Sequence, residues 1–182
     1  DGGAITTSDS LVADKLRLLR NYGQKIKYVH SIKGGNSRLD TLQAAVLRVK
    51  LKKLNEWTKA RIRHAIQYSE QLQSIPQVKT PTFDLSSEFS HVFHLYVIRV
   101  SQRDQLLAYL KDKGVFAAIH YPIPIHLQNA YSDAGFIRGS FPEAEQAADE
   151  ILSLPLYPEL TDDQISYVVA QIAAFYKQVP HS

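Results

Sequence analysis

The sequence predicts an α/β protein: a small α+β domain at the carboxy end, preceded by a long bridging helix and by the end of another domain. Three observations carry this. Residues 39–75 contain no Gly and no Pro and keep apolar residues at helical spacing. After residue 90, apolar β-branched runs alternate with helical stretches, the pattern of a sheet covered by helices on one face. Hydrophobic residues make up 45% of the chain, enough for a sizeable core and too many for a disordered one.

The elements follow in order. Gly3 to Thr7 is β-branched and reads as a short strand. Ser8 or Ser10 can cap the next helix, which carries Leu11, Val12, Leu16, Leu18 and Leu19 and stops before Gly23. Residues 23–37 read as a polar loop rich in Lys and Gly. In the long helix, Leu39, Leu42, Val46 and Val49 repeat at three and four residues, and Leu54, Trp57, Ile62, Ile66 and Leu72 continue less regularly. At roughly 1.5 Å per residue this stretch would exceed about 50 Å, so it bridges two regions or bends.

Residues 76–90 read as a loop, and His91 to Val100 as a strand. Ser101 caps a helix from Gln102 to Lys113, ended by Gly114. Val115 to His120 reads as the next strand, and Tyr121 to Asn129 as a Pro-punctuated loop. A helix from Pro142 to Leu152 starts on proline, and a short strand from Ser153 to Leu156 follows. Thr161 with Gln164 opens a last helix over about 162–177.

Composition excludes several classes. With no Cys there are no disulfides, thiolate metal sites or thiol nucleophiles. A net charge of +3 permits anionic ligands without demanding nucleic acid. No apolar run approaches ~18 residues, so no transmembrane helix is expected. Asp1 to Thr7 lacks the basic and apolar regions of a signal peptide, and the absence of Met fits a trimmed chain.

Two loops can carry chemistry. In Lys33-Gly34-Gly35-Asn36-Ser37-Arg38, glycines permit close backbone approach to a ligand, Asn36 offers a side-chain donor and Arg38 a bidentate one. The same residues also suit a flexible capped turn. In His120-Tyr121-Pro122-Ile123-Pro124-Ile125-His126, two prolines stiffen a loop whose histidines can bind a hydroxyl or move a proton. A rigid surface turn reads equally well, and the spacing matches no zinc motif. Tyr28 and His30, near Lys25 and Lys27, form a cluster that a phosphate could attract or that water alone could solvate. The basic run Arg48, Lys50, Lys52, Lys53, Lys59, Arg61 and Arg63 reads as a solvated helix face, because no aromatic platform or DNA-binding motif accompanies it.

Six segments, in order, resemble the DegT/DnrJ/EryC1/StrS aminotransferases. They are Asp1-Gly2-Gly3-Ala4-Ile5-Thr6-Thr7; Leu16 to Gly23; Gly35-Asn36-Ser37-Arg38-Leu39-Asp40 with Leu42-Gln43-Ala44-Ala45; Phe93-His94-Leu95-Tyr96-Val97; His120-Tyr121-Pro122 with His126-Leu127-Gln128; and Leu152-Ser153-Leu154-Pro155-Leu156-Tyr157-Pro158. Asn129 stands where relatives often have Pro, and Phe93 where Trp is common.

The resemblance implies a type I aminotransferase fold, with pyridoxal 5'-phosphate as cofactor, a nucleotide-linked keto sugar as acceptor and glutamate as usual amino donor. It implies a cytoplasmic homodimer with active sites at the subunit interface, involving neither nucleic acid nor membrane. Residues 1–38 would be the tail of the large cofactor-binding domain, 39–75 the interdomain helix and 76–182 the small domain. Asn36, with Arg38, would reach the cofactor phosphate of the partner subunit's site. Lys27, Tyr28, His30, His120, Tyr121 and His126 would border the nucleotide-sugar. The lysine that bonds the cofactor would lie just upstream of Gly2, and no Lys present here fits its context. A non-catalytic regulatory or binding module of the same fold is the alternative.

Overall fold

The structure is a computed structural model that describes residues 2–84, 86 and 91–178. It divides into two compact units, residues 1–54 and 55–182.

The first unit begins without a strand. Ile5, Thr6 and Thr7 are β-branched, but among the described residues no segment pairs with 3–7 in a ladder, and Ile5 is exposed. Helix α1 is Ser10–Leu19. Its cap is Asp9 rather than Ser8 or Ser10: one carboxylate oxygen accepts from the N–H groups of Leu11 at 2.8 Å and Val12 at 3.2 Å. The expected loop contains a small hairpin, β1 (Gln24–Ile26) against antiparallel β2 (Val29–His30). Helix α2, Thr41–Leu51, ends the unit. Its apolar residues Leu42, Val46 and Val49 are all exposed.

The single helix expected over 39–75 is therefore two. A turn at Lys52 and Lys53 separates α2 from α3, Leu54–Leu72. No Gly or Pro marks this break. There Lys53 N–H bonds the Lys50 carbonyl at 2.9 Å, the tighter closure of a turn that leaves the α-helical ladder.

The second unit is built on a three-stranded antiparallel sheet, β3 (Val78–Lys79), β4 (Tyr96–Val100) and β5 (Ile151–Leu154), in the order β3-β4-β5. Register puts Tyr96 opposite Leu154 and Ile98 opposite Leu152, so these four side chains share one face with Val100. That face is buried against Ala65, Tyr68 and Leu72 of α3, Leu106 and Leu110 of α4 (Arg103–Asp112), and Ile165, Val168 and Ile172 of α6 (Asp162–Gln178). The opposite face carries Val97 and Arg99, paired with Ser153 and Ile151. Arg99 also holds Glu150, at the end of α5 (Pro142–Glu150), at 2.8 Å.

Several expected boundaries move. Strand β4 starts at Tyr96 rather than His91, because Phe93 has φ +46° and its N–H bonds the His91 ring at 2.9 Å. Residues 115–120 make one bridge to β5, Ala118 to Ser153, rather than a strand. Helix α4 lacks a side-chain cap, since Gln102 takes a left-handed φ of 57° in the cap position and Ser101 stands outside it. Two signals act as read. Gly114, φ +74°, ends α4. Thr161 and Gln164 cap each other reciprocally at 3.0 and 3.3 Å. Part of the expected 76–90 loop, residues 85 and 87–90, lies outside the described residues. No helix among the described residues is long and apolar enough to cross a membrane.

Candidate functional site

Candidate residues fall into two clusters, one on each unit. In the first unit, the segment 35–37 is strapped to the end of α1. Tyr22 N–H donates to the Gly35 carbonyl at 2.8 Å and Ser37 N–H to that of Arg20 at 2.9 Å. The crossing is tight. A Cβ on Gly34 would lie 2.6 Å from the Gly23 nitrogen and 2.7 Å from the Leu19 carbonyl, and one on Gly23, φ +69°, would overlap the Ile32 carbonyl. Gly34 therefore serves backbone packing rather than approach to a ligand. Gly35 faces open space.

These straps fix Asn36. Its carbonyl oxygen accepts from Arg38 N–H at 3.3 Å and Arg38 Nε–H at 3.2 Å. Arg38 is held in turn by the Asn21 side chain at 3.4 Å and lies 5.5 Å over the Tyr22 ring. With its oxygen taken, the exposed Asn36 side chain has its NH₂ group left to donate. Arg38 keeps further N–H donors as well. An outward amide beside a guanidinium suits an anionic oxygen, so the donor set fits a phosphate.

Nearby, Lys27 Nζ lies 5.0 Å over the Tyr28 ring, and Tyr28 stands exposed on the hairpin turn. His30 Nδ1–H donates to the Tyr22 carbonyl at 2.8 Å, which turns Nε2 away from that bond. A shallow concavity is lined by Tyr22, His30, Ser31, Ile32, Lys33 and Gly34.

The second cluster lies on the other unit. His120 is half-buried, with Nδ1 2.9 Å from Ser153 Oγ, while Tyr121 is exposed and meets the His120 ring edge-on across a cis peptide. His126 points inward instead. Only 8% of its side chain is exposed, its Nε2 lies 2.9 Å from Glu145 Oε1, and its ring packs against Phe141. Glu145 also accepts from Gly139 N–H at 2.8 and 2.9 Å and from Phe141 N–H at 3.3 Å. Those bonds, that of Gly139 foremost, hold its carboxyl below the usual carboxylate range. Glu145 thus ties the short turn Ile125–Leu127 to the start of α5, and His126 belongs to that knot.

Sequence reading missed Asn21, Tyr22, Glu145 and Ser153 as supporting groups. Asn21 and Tyr22 lay in a segment already singled out, Leu16 to Gly23, and Ser153 in another, Leu152 to Pro158; Glu145 lay in none.

Comparison with known proteins identifies the family of the chain. The model of the DegT/DnrJ/EryC1/StrS aminotransferase family matches residues 1–173. A "pleiotropic regulatory protein" of Geobacillus stearothermophilus is 46% identical over 97% of this chain and 48% of its own length. A dTDP-3-amino-3,4,6-trideoxy-alpha-D-glucose transaminase of Streptomyces venezuelae is 40% identical over 98% of this chain and 47% of its own. A crystal structure of S. venezuelae DesV in complex with a ketimine intermediate superimposes with a TM-score of 0.90 at 38% identity, covering 96% of this chain and 47% of that one. The chain spans about half the length of the relatives it matches. It belongs to the DegT/DnrJ/EryC1/StrS aminotransferase family.

Proposed function

We propose that this chain is the carboxy-terminal half of a pyridoxal 5'-phosphate-dependent aminotransferase. The enzyme would move an amino group, with glutamate as donor, onto a nucleotide-linked keto sugar. Family membership supports the reading, and the transaminase name of the S. venezuelae relative points to the substrate class. The observation that carries it is the Asn36 side chain, its oxygen bound by Arg38 and its amide left as a donor.

When bound, the cofactor supplies the electron sink for the transfer. The chain's own residues position groups around it. Asn36 and Arg38 would hold the phosphate of the partner subunit's cofactor. The exposed apolar side chains of α2 support such a homodimer. Lys27, Tyr28 and His30 would face the nucleotide diphosphate, and His120 and Tyr121 the sugar. His126 would act through Glu145 by shaping the loop rather than by touching the sugar. The lysine that bonds the cofactor would lie in the half of the relatives that this chain does not span.

The test uses the protein extended to the length of its relatives. Asn36→Ala should weaken cofactor binding about tenfold or more, the scale of one hydrogen bond to a charged group. Asn36→Ala leaving cofactor Kd and turnover both unchanged would sink the reading. A second reading, a regulatory module, is favoured by the name of the G. stearothermophilus relative. It predicts cofactor or nucleotide-sugar binding without amino transfer from glutamate.

A further inference from the structure

We infer that Ser153 is a positioning residue for His120: it holds the imidazole in the tautomer that carries its hydrogen on Nε2. The inference rests on the proposed role of His120 toward the sugar only for its consequence, not for its geometry.

Three observations build the case. First, Ser153 cannot move. It sits on β5 with 4% exposure, its N–H bonds the Ala118 carbonyl at 2.7 Å, and its carbonyl accepts Ala118 N–H at 3.0 Å. The segment after it is pegged from one face of α3. Tyr68 Oη–H donates to the Pro155 carbonyl at 3.1 Å, Arg61 Nη1–H to that of Leu156 at 2.9 Å, and His64 Nε2–H to that of Pro158 at 3.2 Å. Positions 61, 64 and 68 share a helix face, so Leu152 to Pro158 is held along its length.

Second, strand alternation aims Ser153 away from the core. Leu152 and Leu154 fill the core face, while Ser153 shares the other face with Val97. A hydroxyl nearly closed to water needs a partner. Its one partner among the described residues is His120 Nδ1 at 2.9 Å.

Third, the direction of that bond follows from counting hydrogens. If Nδ1–H donated to Oγ, the buried hydroxyl hydrogen would have no acceptor among the described residues. If Oγ–H donates to Nδ1, both groups are satisfied. The neutral ring then carries its hydrogen on Nε2, and His120 meets a ligand oxygen as a donor. The Leu-Ser-Leu-Pro-Leu-Tyr-Pro segment, which the proposed site leaves otherwise unused, is thereby the frame that orients the histidine.

The experiment reads imidazole nitrogen chemical shifts in this chain at alkaline pH, with His120→Gln assigning the signal. The expected native spectrum has a pyridine-like Nδ1 and a pyrrole-like Nε2. Ser153→Ala should collapse the two toward a tautomer average, and Ser153→Thr, which keeps the hydroxyl, should restore them. Amide spectra identify any variant that has not folded, and the native tautomer stands as evidence without the variants. A hydrogen on Nδ1 in the native chain, or a Ser153→Ala spectrum like the native one, overturns the inference.

In the protein extended to the length of its relatives, turnover of a dTDP-linked keto sugar separates this inference from the reading beneath it. Ser153→Ala should lower kcat/KM about tenfold, for one lost hydrogen bond, with Ser153→Thr recovering it. If His120→Gln costs turnover and Ser153→Ala does not, the positioning role is wrong. If neither costs turnover while the nitrogen shifts behave as expected, Ser153 still orients the ring and the sugar-facing role of His120 is what falls.

Discussion

Residues 2–54 and residues 55–178 hold their candidate groups by different means. Among the described residues of the first unit only Gly23 is buried, and α1 and α2 bury no side chain. Its loop keeps its shape through backbone straps and two glycines whose chains nearly touch. The second unit has a continuous core of aliphatic and aromatic side chains and hangs His120 and His126 on buried polar partners. A loop fixed by backbone crossing tolerates no Cβ at the crossing. A loop fixed by a packed scaffold depends on side chains far from it in sequence.

The largest effect should come from the core. Ile98→Ala or Leu106→Ala, each fully buried, should destabilise the second unit by about 2–5 kcal/mol in urea unfolding. Leu42→Ala and Val46→Ala, exposed on α2, should leave the unfolding of the second unit within about 0.5 kcal/mol of the parent, whatever they do to association between copies. Equal losses at both places would mean that the first unit shares the core and that the contrast is false.

Next in size is the crossing of glycines. Gly23→Ala sets a Cβ against the Ile32 carbonyl at a left-handed φ and should displace the backbone amide resonances of residues 21–38. The denaturation midpoint of the second unit should stay where it is. Gly35→Ala, with nothing near its added methyl, should leave the same resonances in place. Comparable shifts from both substitutions would show that the glycines are not what fixes this loop.

How far these features could be read in advance depends on how local their causes are. The α6 capping box and the Gly114 stop are settled within four residues, and both were legible. The bonds between Asn36 and Arg38 close over two residues, but the straps that fix Asn36 reach back thirteen and seventeen positions to Tyr22 and Arg20 and were not legible. The strands expected at 3–7 and 115–120 have suitable residues, but a strand exists only where a neighbour supplies hydrogen bonds, and the second run finds one bridge. The hairpin of β1 and β2 was hidden by its polar composition, and the break at Lys52 and Lys53 carries neither Gly nor Pro. His126 was legible as a polar loop residue. Its inward turn was not, because Glu145 lies nineteen positions along the chain on another element.

That distant partner yields the smallest and most specific effect. Glu145 has its carboxyl held below the ordinary range, first by Gly139 N–H and further by His126 and Phe141 N–H, against the opposing pull of burial. A carboxyl whose folded pKa is depressed contributes its full stabilisation above the unfolded value and loses it as pH falls through the folded one. The unfolding midpoint of the parent should therefore exceed that of Glu145→Gln most above about pH 5.5, and the gap should narrow below about pH 4.5. His126→Gln should keep this narrowing, because the Gly139 and Phe141 bonds do not need the imidazole. A gap that widens on acidification would mean that the carboxyl is instead held protonated in the fold. A gap that loses its pH dependence in His126→Gln would assign the effect to the ion pair rather than to the backbone donors.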